Sequence, residues 1–111
     1  MMFLRVSREI ERVKRLGVRV ATPCFNLLIE RKTGRASQVA IVVGRRFGIA
    51  VRRNRAKRVF RALVRMTYKD IQPGHNLVVF PKREALESSH EDLADVWRTV
   101  LRKYHVMRTE T

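Results

Sequence analysis

The sequence is short of several things at once. Its 111 residues include one cysteine (Cys24), three histidines, three prolines and one tryptophan. A single thiol excludes an intramolecular disulfide and a cysteine-based zinc site. The histidines are scattered at His75, His90 and His105, so a His-rich metal site is not expected. No apolar run approaches the roughly 20 residues needed to cross a bilayer, and none resembles a signal-peptide core. Acidic residues number 10 against 25 basic ones. The apolar fraction is nevertheless 45%, as in a folded globule and unlike a disordered basic tail. These absences leave a small soluble intracellular domain over residues 1–111, expected in the cytoplasm, with no membrane and no small-molecule substrate in view. Its formal charge of +15 repels itself unless a polyanion is the normal partner, and nucleic acid is the first candidate.

What is there is concentrated. Between Glu30 and Asp70 there is no acidic residue and there are 13 basic ones, while acids gather at Glu84, Glu87, Glu91, Asp92 and Asp95. A helix is predicted over roughly Val51 to Tyr68. On a wheel at about 100° per residue, Ala56, Val59, Phe60 and Leu63 share one side. Asn54, Arg58, Arg61 and Arg65 share the other, flanked by Arg55 and Lys57 and preceded by Arg52 and Arg53. Like charges three and four apart cost a helix a few tenths of a kcal/mol each, about 1–2 kcal/mol for the set. No interleaved carboxylate offsets this, whereas a merely solvated face alternates signs. Phosphates would supply the counter-charge. Arg, at 19 of the 25 cations, suits them with a planar donor fork. The stripe is about 16 Å long, enough to touch several phosphates.

The remaining pattern predicts the other elements. Residues 7–16 read as a helix, with Ser7 as N-cap and Gly17 at the left-handed position after it. Val18 to Ala21 and Cys24 to Arg31 read as strands, the second with Phe25, Leu27 and Ile29 on one face. A turn at Lys32-Thr33-Gly34-Arg35 leads to a strand over Gln38 to Val43, expected to pair back antiparallel as a hairpin. Pro73-Gly74 marks a turn before a buried strand from Asn76 to Phe80. Ser88, with Glu91 three positions on, signals the cap of a last helix to about Tyr104, whose inner stripe carries Trp97 and Leu101. The order α-β-β-β-α-β-α gives an α+β single domain with helices packed on a sheet.

The run Phe47-Gly48-Ile49-Ala50-Val51-Arg52-Arg53-Asn54-Arg55-Ala56-Lys57-Arg58-Val59-Phe60-Arg61 resembles the signature of the protein subunit of bacterial ribonuclease P. Gly48, the Ala50-Val51 pair, Arg53-Asn54-Arg55, Lys57-Arg58 and Arg61 match that family's spacing without gaps. The order of the flanking elements agrees over nearly the whole chain. The resemblance implies a mixed sheet with a left-handed β-α-β crossover, in the ribosomal-protein-S5-domain-2-like manner. It implies that a ribonuclease P RNA, with Mg2+ at the RNA active site, removes the 5′ leader of precursor tRNA, and that the protein holds no catalytic residue, metal or cofactor of its own. The RNA-contacting set it implies is Arg45, Arg46, Arg52, Arg53, Asn54, Arg55, Lys57, Arg58, Arg61 and Arg65. The leader cleft it implies is Ile10, Val13, Lys14, Phe25, Leu27 and Leu28. This chain departs from the family where aromatic residues are common, at Ile10, Lys14 and Leu28, and base stacking there should be weaker.

The other residues read blandly. His75 is expected in a solvated loop and His90 exposed in the first turn of the last helix. Trp97 and Tyr104 are expected in the core or at its edge, and Cys24 as a small buried hydrophobe. No carboxylate–histidine pairing suggests acid/base work. Three rivals remain: a ribosomal or general structured-RNA-binding protein, a DNA-binding protein reading the major groove with residues 51–68, and a nuclease in its own right. A groove-reading helix usually mixes several amides and hydroxyls with Arg, and here Asn54 is the only amide on the stripe.

Overall fold

The computed structural model describes residues 2–108. Its elements are α1 (Ser7–Leu16), β1 (Val18–Ala21), β2 (Phe25–Arg31), β3 (Gln38–Ile41), α2 (Ala50–Thr67), β4 (His75–Pro81), α3 (Glu84–Glu87) and α4 (His90–Lys103). A 3-10 turn, Arg45–Phe47, precedes α2, and another, Tyr68–Asp70, follows it. The expected order holds, with the four-residue α3 added.

The four strands lie in the order β1-β2-β4-β3. β2 runs antiparallel to both neighbours, while β3 runs parallel to β4, with Val39 beside Leu77. The expected β2–β3 hairpin is therefore not formed, because β4 enters between them. Asn76-Leu77-Val78-Val79 is buried on both faces, so this strand takes a central place. Residues 32–37 then bridge two strand spacings, about 9.5 Å. The parallel pair β3 and β4 is joined through α2 as a β-α-β unit.

One face of the sheet is covered by α2 and α4, the other in part by α1. On one, Phe25, Leu27, Val39, Leu77 and Val79 meet Phe60, Leu63 and Val64 of α2 and Leu93, Trp97 and Leu101 of α4. The Phe25 ring meets Phe60 edge-on at 6.0 Å and Trp97 at 5.6 Å. Trp97 satisfies its indole N–H by donating to Thr67 Oγ1 at 3.0 Å. On the other face, Leu28, Ala40 and Val78 pack with Val13 of α1 and with Leu4. The segment before α1 lies along β3, where the Leu4 N–H donates to the Val39 carbonyl, and so covers that sheet edge.

The boundaries bring corrections. The N-cap of α1 is Val6, without a side-chain bond, and Ser7 is already helical. Gly17 is extended (φ −71°), not left-handed. Its requirement is space: a Cβ there would lie 2.6 Å from the Val13 carbonyl oxygen and 3.3 Å from the Ile29 backbone. The cap of α4 is Ser89, which accepts from the Asp92 N–H, while the Ser88 hydroxyl turns back to the Glu84 carbonyl of α3. His75 is buried as the first residue of β4, its Nδ1 3.2 Å from the Gln72 carbonyl oxygen and its N–H donated to Ser37 Oγ. Tyr104 is exposed, and Trp97 and Cys24 are buried as expected.

Candidate nucleic-acid interface

Helix α2 begins where Gly48 turns the chain at φ 149°, a conformation that L side chains rarely adopt. The Arg53 guanidinium donates to the Gly48 carbonyl at 2.6 Å and locks this entry. Downstream, Ala56, Phe60, Leu63, Val64 and Thr67 are buried against the sheet. Val59, expected with them, is half-buried. Asn54, Arg58, Arg61 and Arg65 face outward and are exposed, as are Arg52 and Arg55; Arg53 and Lys57 are half-buried. Arg45 and Arg46 are exposed on the preceding 3-10 turn. That turn is held from β4's end by Arg83, which donates to the carbonyls of Phe47 and Arg46, each at 3.1 Å.

Among the described residues the cationic face has no carboxylate partner. Among the described residues the ion pairs are Arg12–Glu30, Arg12–Glu9, Arg35–Glu9 and Lys14–Glu11, and none involves α2 or the 3-10 turn before it. Arg65 lies 5.4 Å over the Phe3 ring, which fixes the far end of the stripe by a cation–π contact.

A groove of about 990 Å³ opens on the other face of the sheet, the one that carries α1. Leu28, Val42 and Phe80 contribute its apolar surface, and five cations (Lys14, Arg19, Arg46, Lys82 and Arg83) line it with one carboxylate, Glu84. Arg46 belongs both to the groove lining and to the turn that leads into α2, and so stands between the two cationic regions. Lys82 is anchored by donating to the Thr22 carbonyl at 2.7 Å.

The structure divides the six residues expected in the cleft. Lys14 and Leu28 line the groove. Ile10 is half-buried and Val13 fully buried where α1 packs on Leu28. Phe25 and Leu27 are a correction: both have 0% exposure and lie on the opposite sheet face, under α2 and α4. Alternation along β2 requires this, because residues one and three positions from Leu28 point to the opposite face. The same rule reveals what the sequence reading missed. Asn26 is two residues from Leu28, and Phe80 is two from Val78, so both fall on the groove face. Arg19, Lys82 and Arg83 gave no comparable signal.

Helix α1 is fixed to the sheet by Arg12, whose guanidinium grips the Glu30 carboxylate at 2.9 and 3.0 Å. Hydrogen bonding from Arg12, and then from Asn76, holds the Glu30 carboxyl below its ordinary value against the opposing effect of burial. Among the described residues no three His, Cys, Asp or Glu converge as a metal site, and no helix is long and apolar enough to cross a membrane.

This architecture has close counterparts. The family profile described as Ribonuclease P matches residues 2–105. The ribonuclease P protein component of Finegoldia magna is 28% identical over 100 residues, covering 90% of this chain and 88% of that protein. Its counterpart from Thermotoga petrophila is 31% identical over 94 residues, covering 85% and 79%. Among solved structures, the RNase P protein from Thermotoga maritima superposes with a TM-score of 0.81 at 26% identity, covering 93% of this chain and 97% of that one. The Staphylococcus aureus RNase P protein, at 19% identity, shares the fold with a TM-score of 0.82 over 97% of this chain and 99% of its own.

Proposed function

The chain belongs to the ribonuclease P protein family, and we propose that it clamps the enzyme's catalytic RNA with α2 and holds the 5′ leader of precursor tRNA in the groove. Ribonuclease P is an endoribonuclease that acts in tRNA processing, and this chain is its protein component. Chemistry is assigned in this reading to the RNA and its Mg2+ ions. The protein supplies counter-charge and position, the two terms that dominate a reaction between polyanions.

One observation carries the reading: the exposed cations of α2 have no carboxylate partner among the described residues, and Arg46 stands between them and the groove. On α2 the contacts fall to Arg52, Asn54, Arg55, Arg58, Arg61 and Arg65, all exposed, and to Lys57. Arg45 and Arg46 extend them. Arg53 is occupied with Gly48 and positions the others. The leader runs past Lys14 and Leu28, its phosphates near the surrounding Arg and Lys side chains.

The test is reconstitution with a bacterial ribonuclease P RNA and precursor tRNA at low magnesium. Stimulated leader removal is expected; its absence would reject the reading. Competition by duplex DNA as strong as that by structured RNA would favour a DNA-binding role, and cleavage by RNA-free protein would favour an independent nuclease.

A further inference from the structure

The groove holds a feature that its charge does not explain. Phe80 is the half-buried aromatic of its surface, whereas Phe47 is nearly covered. Phe80 pairs directly with Asn26 across the β2–β4 ladder. Such partners stand on the same sheet face with Cβ atoms about 5 Å apart. The Asn26 Oδ1 atom is covered and has no hydrogen-bond partner among the described residues. Leaving a covered acceptor unmatched is unfavourable, and turning the amide so that this oxygen meets a ligand's donor in the groove would relieve it. An aromatic face beside an unmatched amide, within a cationic groove, is what a single-stranded nucleic acid base needs: a surface to stack on, a group for its edge, and counter-charge for its phosphates.

We infer that Phe80 is the platform on which one base of the leader stacks, beside the Asn26 amide. This rests on the reading that the leader occupies the groove. It places the stacking contact on β4, on the groove face that also carries Leu28 and away from Phe25, which the core has taken.

The test uses the reconstituted holoenzyme and precursor tRNAs with a long and a truncated leader, and measures the affinity ratio between them. Wild type is expected to bind the long leader more tightly. Phe80→Leu keeps an apolar side chain in the floor but removes the aromatic face, so the ratio should fall by about 5- to 150-fold. Phe80→Tyr should restore it. A 2-aminopurine placed in the leader should be quenched on binding to wild type and to Phe80→Tyr, and should stay bright with Phe80→Leu. A packing role alone would predict equal ratios for all three proteins, and that result would overturn the inference while leaving the groove reading intact. If wild type itself gains nothing from the longer leader, the groove holds no leader and the Phe80 role falls with it.

Discussion

The Arg12 guanidinium and the Glu30 carboxylate meet through two hydrogen bonds, Nε to Oε2 at 2.9 Å and Nη2 to Oε1 at 3.0 Å. Asn76 adds a third donor to Glu30 at 3.2 Å. One carboxylate thus ties α1 to β2 and to the central strand β4. The folded-state carboxyl lies below its unfolded value, so deprotonation favours folding. Its contribution is fully present above the ordinary carboxylate range and is lost as pH falls through the folded value. Glu30→Gln should lower stability at neutral pH and leave little difference from wild type in strong acid. Urea unfolding across that pH range checks both ends.

Binding to the catalytic RNA should be steeply salt-dependent. With about six to eight phosphate contacts, log K should fall by roughly 4–7 per decade of salt. Arg58→Ala with Arg61→Ala removes two exposed cations opposite the buried stripe, so the slope should ease by about 2 units and the unfolding midpoint should hardly move. Filter binding over a salt series, beside thermal unfolding, separates contact loss from misfolding. An unchanged slope would remove these residues from the interface.

Phe25 is part of the fold and not of the groove. Phe25→Ala should cost about 3–5 kcal/mol, because it empties a site walled by Phe60 and Trp97. The milder Phe25→Leu should keep the leader-dependent affinity of wild type. Calorimetry and the leader-length comparison check the two halves of this statement.

Gly48→Ala tests the entry to α2. The nearest side-chain atom to a new Cβ is 3.7 Å away on Arg52, so collision is not the problem. The cost is backbone strain at φ 149°, of order 1–3 kcal/mol. Relief by shifting the turn would break the Arg53–Gly48 bond and displace Arg45 and Arg46. Both the unfolding temperature and the affinity for RNA should fall, and a variant with unchanged affinity would uncouple the turn from the interface.

The cationic helix was readable in the sequence because its signal is local. Arg58, Arg61 and Arg65 share a face by the 3.6-residue period alone, and the structure exposes them. Each strand was also legible, since Leu77-Val78-Val79 announces burial wherever it sits. The pairing of strands was not, because the place of β4 between β2 and β3 depends on which strand is apolar on both faces and not on chain order. Which of Phe25 and Leu28 meets the groove follows from alternation along β2 and from α2 and α4 packing on the Phe25 side. Glycine was legible as a special position but not in its reason: Gly17 is needed for space beside Ile29, not for a left-handed turn.

The central position of β4 also sets an order of assembly. During synthesis β1 and β2 can pair as soon as they emerge, but β3 has no strand beside it until His75–Pro81 follows. The cationic helix α2 is therefore made before the sheet that will carry it is complete. Contacts so distant along the chain slow folding and leave strand edges open in the interval. Truncation ahead of residue 75 should leave a hairpin, an isolated strand and a charged helix, with no surface on which to seat the helix.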